Sequence, residues 1–228
     1  MSSLKAIAAI AAVLVLSRCA PLPGPAPSAA VDPLAHEQRL RALEHWHLQA
    51  KAGLRSPGQN GSARLSWQQA PQHFFISLSG PLGQGRVTLN GTPAGVTLTQ
   101  AGAPTQHAAS ARQLLQQHTG WDLPINLLTD WLLGLPALTQ PVEQLTRTDN
   151  GLLKTLQQAG WQLSYSRYQA VGEVFLPSKI IATRTLNPTQ SIRLVIAVHH
   201  WQTGPSATDQ RSIDQRPTDR APAGSPPP

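Results

Sequence analysis

A single cysteine, Cys19, stands in this 228-residue chain. A lone cysteine cannot close an internal disulfide, so its thiol needs another use. It follows Lys5 and an apolar run, AIAAIAAVLVL at positions 6–16. That run is too short for a bilayer span, which takes about 20 residues, and it suits the hydrophobic region of an export signal. A thiol placed directly after such a region is the acceptor of a bacterial lipoprotein signal. Leu16 and Ser17 fit the lipobox pattern, whereas Arg18 occupies a site that normally holds Gly, Ala or Ser. Cleavage after the SAA at positions 28–30 is the competing reading, but it lies far from the apolar run, across several prolines. Each acyl CH₂ buried in a membrane contributes about 0.8 kcal/mol, and stable anchoring takes more than one chain. Ala20 follows the cysteine where an inner-membrane retention signal would place Asp, so sorting to the outer membrane is expected.

Other reactive side chains are sparse. No GxSxG, HExxH, CxxC or phosphate-loop motif occurs. Gly80, Gly83 and Gly85 have only a superficial phosphate-loop spacing, since they lie between two strand patterns rather than before a helix. His45 and His47, or His199 and His200, raise the question of a metal site. His45 and His47 fall on the face opposite Trp46, so solvent-facing histidines are the better reading. No catalytic residue, metal or cofactor is expected. The formal net charge is +7. The basic residues read as scattered along the chain, and no nucleic-acid-binding signature accompanies them.

The elements that position the remaining residues follow from periodicity. Five prolines between Ala20 and Pro33 favour polyproline II, a semi-rigid spacer of about 45 Å at most. Residues 1–18 are therefore expected to form the signal, 19–33 a lipidated tether, 34–202 the folded domain and 203–228 a disordered tail poor in apolar residues. Within the domain, apolar residues alternate at Trp46, Leu48, Ala50, Ala52 and Leu54, at Phe74, Ile76 and Leu78, and at Val87 and Leu89. They do so again at Val96 and Leu98, at Trp161, Leu163 and Tyr165, and from Ile192 to Val198. Each is a half-buried strand pattern. Turn-forming residues at 56–61, 79–85, 90–95 and 187–190 separate strands spaced for an antiparallel meander. Ser110 with Gln113 has capping-box spacing for a helix ending near Gly120. Pro124, Gly134 and Pro136 bracket a second, almost wholly apolar helix that must be buried or must cover something apolar. Another helix is expected near 34–45. The six tryptophans read singly as core residues, with a shared apolar cavity as the sharper alternative for some.

One turn is unusual. SGPLGQG at 79–85 surrounds Leu82 with glycine, proline and serine. Turn chemistry alone allows Leu82 to fold back on its hairpin. The tip is also longer than a tight hairpin needs, so it can present the side chain outward.

Six segments taken in order carry a family resemblance. They are WQQ at 67–69, SGPLGQG at 79–85, GWDLPINLLTDWLLGLP at 120–136, QQAGWQLSYSRY at 157–168, LPSKI at 176–180 and IRLVIAVHHW at 192–201. With the lipoprotein-type N-terminus, the chain resembles the LolB family of outer-membrane lipoprotein receptors. The resemblance implies a mainly β fold with short helices, an unclosed antiparallel β-barrel whose helical lid covers a hydrophobic cavity. It implies a monomer that accepts lipoprotein cargo from a LolA-type periplasmic carrier and inserts it into outer-membrane lipid without covalent chemistry. The implied site has three parts: lipid attachment at Cys19, a membrane-insertion loop at Pro81, Leu82 and Gly83, and an acyl-chain cavity. Alternation assigns Trp46, Leu48, Phe74, Ile76, Leu78, Leu128 and Trp131 to that cavity. The alternative is a soluble or tethered periplasmic lipid or lipoprotein carrier of related fold that lacks insertion activity.

Overall fold

The computed structural model describes residues 30–80, 83 and 85–204. Helix α1 (Pro33–Arg41) starts where the sequence supplies both halves of an N-terminal signal. The Asp32 carboxylate accepts from the backbone N–H of Leu34 at 2.9 Å, and Pro33 sits in the first turn. Val31 N–H donates to the Asn150 carbonyl, so the folded unit begins slightly before the expected boundary at residue 34.

Eleven strands follow in one antiparallel sheet: β1 (Trp46–Ser56), β2 (Gln59–Ala70), β3 (His73–Ser79), β4 (Val87–Thr92), β5 (Gly95–Gln100), β6 (Gln106–Ala108), β7 (Val142–Arg147), β8 (Leu153–Gln158), β9 (Trp161–Val171), β10 (Val174–Asn187) and β11 (Gln190–Thr203). Two helices interrupt the series between β6 and β7: α2 (Ala111–Thr119) and α3 (Ile125–Leu133). The spatial order is β6-β5-β4-β3-β2-β1-β11-β10-β9-β8-β7. Pairing of β1 with β11 joins the two halves, and β6 and β7 remain as unpaired edges of an unclosed sheet. The segment carrying α2 and α3 therefore starts at one open edge and ends at the other. β11 extends through Thr203, which pairs with Trp46, one residue beyond the domain end expected from sequence.

Alternation holds on the long strands. Trp46, Leu48, Ala50, Ala52 and Leu54 are all buried on β1. On β11, Ile192, Leu194, Ile196 and Val198 are buried, and then the parity changes so that Trp201 is next. The change is a bulge: Gln49 pairs with His200 but Ala50 with Val198, leaving His199 as the extra residue. β10 has its own irregularity between Pro177 and Ile180, which is where a proline is tolerated inside a sheet. The two meet, because Trp201 Nε1 donates to the Pro177 carbonyl at 2.9 Å.

Two expected turns are narrower than the sequence indicated. The turn within 56–61 is Pro57-Gly58 alone, with Gly58 at φ 76°, as a type II turn requires, and Asn60 and Gly61 lie in β2. The turn within 90–95 is Pro93-Ala94, and Asn90 and Gly91 lie in β4. Gly91 pairs with Phe74, and the ring of Phe74 lies over the glycine: a Cβ there would fall 2.0 Å from a ring carbon.

The helices match their signals. Ser110 Oγ accepts from the Gln113 backbone N–H at 3.3 Å, and Gly120 ends α2. Gly134, at φ 78°, ends α3, with Leu135 N–H returning to the Asp130 carbonyl. No helix among the described residues is long and apolar enough to cross a membrane.

Candidate functional site

The concave side of the sheet is apolar, and α2 and α3 cover it. Six of the nine residues of α3 are buried: Ile125, Leu127, Leu128, Trp131, Leu132 and Leu133. The helix is apolar around most of its circumference because it meets the sheet on one side and neighbouring segments on the other. α2 contributes Ala111, Leu114 and Leu115 to the same core.

The seven residues assigned to an acyl-chain site are brought together. Trp46, Leu48, Ile76, Leu128 and Trp131 are buried in one cluster, with Phe74 and Leu78 half-buried against it. The sequence reading missed their closest companions. Trp67 on β2 and Trp201 on β11 flank Trp46, with ring centroids 5.8 and 5.6 Å away. Phe74 follows Trp67 at 6.4 Å, so four strands present one aromatic wall. Alternation places Trp46, Trp67 and Phe74 inward and the β11 bulge does the same for Trp201, but only the strand order places the four rings side by side.

An opening reaches this wall. A cavity of about 260 Å³ lies between the end of α1, the turn joining β2 to β3, and α3. Trp46, Leu40 and Leu133 line it, and Leu138, 78% exposed, stands at its rim. The volume is close to the lower end for small-ligand pockets. Elsewhere the concave side is filled: Leu48, Trp131, Leu132 and Leu163 have no measurable exposure.

Polar contacts fix the cover at two places. At α3, Gln158 of β8 is completely buried and fully bonded. Its side-chain oxygen accepts from Trp131 Nε1 at 2.8 Å and Ala137 N–H at 2.9 Å, and its amide donates to the carbonyls of Ala137 and Gln140. Tyr165 Oη donates to the Trp131 carbonyl at 3.1 Å, and burial pushes its phenol well above the usual range. At α2, the Asp122 carboxylate pairs with Arg112 and lies 3.8 Å from Arg184 of β10. The Arg112 hydrogen bond holds that carboxyl below its ordinary value despite partial desolvation. The two anchors differ in kind, one dry and directional, the other open to solvent.

His36 of α1 is buried, and its Nε2 accepts from the Phe175 N–H at 3.1 Å. Burial, then the nearby Arg39 and Arg147, hold the ring below its ordinary value, so it is a neutral structural acceptor. His47 bonds Ser66 Oγ at 2.9 Å on the convex face, and His199 and His200 are exposed there. No group of three or more potential metal ligands occurs among the described residues.

Of the remaining expected site residues, Cys19, Pro81 and Leu82 lie outside the described residues. Gly83 adopts φ 80°, and its N–H bonds the Gly80 carbonyl at 3.1 Å, an i to i+3 turn contact at the foot of the loop.

The family model described as "Outer membrane lipoprotein LolB" matches residues 44–201. A relative from Cellvibrio japonicus, the outer-membrane lipoprotein LolB, is 44% identical over 177 residues, covering 76% of this chain and 85% of that one. The LolB of Nitrosococcus oceani is 37% identical over 194 residues, covering 84% and 94%. Among solved structures, a LolA superfamily protein from Nitrosomonas europaea superposes with a TM-score of 0.50 at 8% identity, over 78% of this chain and 96% of that one. A putative outer membrane lipoprotein-sorting protein domain from Vibrio parahaemolyticus gives 0.51 at 8% identity, over 81% and 98%. At such identity these two speak for the fold alone.

Proposed function

The chain belongs to the LolB family of outer-membrane lipoproteins, and from that premise we propose that it receives lipoproteins at the outer membrane and inserts them there. The observation that carries this reading is the apolar helix α3 seated over an aromatic-walled concave sheet, with a mouth where Trp46 and Leu133 meet a charged rim of Arg41, Glu44 and Asp130. An acyl chain is the ligand that such a surface suits: long, apolar, and without groups that need directional partners. The role is binding and transfer, with no enzymatic step.

Because side chains fill the interior, an incoming chain must displace something. The solvent-exposed Asp122 contacts make α2 the part that yields, while Gln158 and Tyr165 hold α3. Acyl carbons then replace the leucines of α2 over the adjoining part of the sheet, where α2 packs on β5 and β6, exchanging one apolar contact for another at small net cost.

Delivery uses two further parts. Acylated Cys19 and the prolines after it tether the domain to the outer membrane, facing the periplasm. Leu82, flanked by Pro81 and Gly83, enters the bilayer; burying one leucine contributes about 1.5–3 kcal/mol. That is modest beside the acyl chains, so the loop aids cargo release more than it anchors the protein. A LolA-type carrier loaded with a tagged lipoprotein tests the reading: the lipoprotein should move to this chain on mixing. Cargo that stays on the carrier would overturn it.

A further inference from the structure

The convex face carries a second feature, distinct from the apolar interior. Between Glu44 and Asp122 the sequence contains no Asp or Glu, and none occurs from Val174 to Gly204. These two stretches build β1 to β6 and β10 to β11, which are contiguous in the sheet. Cations read as scattered along the chain are thereby gathered. Lys179 pairs with Ala197, Ala197 with Lys51, Lys51 with Arg64, and Arg64 with Ser79. This one rung crosses five strands, about 19 Å at the usual strand spacing, and ends at the root of the 80–86 loop.

At that end the convex face holds a groove of about 680 Å³. Lys51, Arg64 and Arg86 line it, all exposed, together with the hydroxyls of Ser62, Ser66 and Ser79. Arg86 immediately precedes Val87, whose partner Leu78 precedes Ser79, so the cation and the hydroxyl flank the loop from its two sides. Lys51 and Arg64 stand directly opposite on adjacent strands. Like charges so placed are unfavourable, and among the described residues no ion pair involves either one or Arg86.

We infer that this groove binds the phosphate headgroups of membrane lipid beside the inserting loop. Guanidinium, ammonium and hydroxyl donors around an open groove are the donor set for phosphate oxygens. The inference deepens the receptor reading and rests on it for placing the domain beside a membrane. The groove then sets the depth and tilt at which the loop meets the bilayer.

The test is co-sedimentation of the chain from residue 19 onward, with Cys19→Ser removing the acyl anchor, with vesicles and no cargo. Phosphatidylcholine vesicles are compared with vesicles containing phosphatidylglycerol. Lys51→Glu with Arg64→Glu should weaken binding to the anionic vesicles about tenfold or more. Lys154→Glu with Arg193→Glu makes the same charge change away from the groove and should cost far less. Lys51→Glu alone turns a like-charge pair into an opposite-charge pair, so it should be at least as thermally stable as the parent while binding less. Equal losses from the groove and control pairs would overturn the site in favour of diffuse charge. So would unchanged vesicle binding with impaired transfer from the carrier, which would make the groove a protein-docking surface. Tight binding of inorganic phosphate in the absence of vesicles would assign it to a free anion. Failure of the carrier handover with groove-dependent vesicle binding intact would count against the receptor reading and not against the groove.

Discussion

Trp131 donates its indole N–H to the side-chain oxygen of Gln158 across 2.8 Å, joining the covering helix α3 to strand β8 in a site closed to water. The same glutamine ties down the segment after α3 through Ala137 and Gln140. A fully satisfied buried amide of this kind fixes one geometry, because any displacement leaves several polar groups unpaired at once.

Gln158→Leu removes all four contacts while nearly conserving volume. The stranded partners should cost roughly 3 kcal/mol or more in total, read as a lower urea midpoint with an unchanged slope. Trp131→Phe should cost less in the Gln158→Leu background than in the parent, since the hydrogen-bond partner is already gone and only the packing lost with the smaller ring remains.

Gly91→Ala tests the contact with Phe74. The new methyl would meet the ring, and overpacking of this kind costs about 1–3 kcal/mol. Phe74→Leu should recover part of the loss in a double-mutant cycle measured by thermal unfolding.

His36 gives stability a pH dependence. Its ring is held below the ordinary value of 6.5, so below that value the unfolded chain binds a proton that the folded chain resists. Stability is complete above about pH 6.5 and declines as pH falls toward the lowered folded value. His36→Gln retains a side-chain acceptor and removes the titration, so its stability should fall less between pH 7 and 5. A residual slope is expected from His47, whose ring is also held low, by partial burial and then by His200.

Asp122→Asn should loosen α2 without unfolding the domain. The contact is solvent-exposed, so global stability should change by no more than about 1 kcal/mol, while amide exchange across 111–119 accelerates. The parent protein should show the same loosening at low pH. Its carboxyl lies below the usual 3.8, so the pairing is complete above that value and is lost on further acidification.

Much of this architecture was legible in residue types. Period-two alternation located the long strands, and Ser110, Gly120, Pro124 and Gly134 bounded both covering helices, because those signals depend on neighbours in the chain. The HHW at 199–201 even records the β11 bulge, as two exposed residues in succession before a buried one. What escaped was whatever depends on strand order. Trp67 and Trp201 flank Trp46 only because β2 and β11 flank β1. Lys51 and Arg64 adjoin for the same reason, and their grouping was foreshadowed only by a long stretch without a carboxylate. Gln158 carried no signal of its own in the sequence, since its four partners come from α3 and the segment after it. Asn60-Gly61 and Asn90-Gly91 resembled hairpin turns, but Pro57-Gly58 and Pro93-Ala94 beside them made the reversals, leaving Gly91 to accept the Phe74 ring.

Lipoprotein transfer in two stages tests the central claim most directly: handover from a loaded LolA-type carrier to this protein, then delivery to liposomes, for the parent and for Leu82→Glu. The account predicts that both proteins take cargo from the carrier to the same extent and that only the parent passes it efficiently into the lipid. Equal delivery by the two proteins would contradict the role of the loop, and failure of the parent to accept cargo would contradict the receptor function itself.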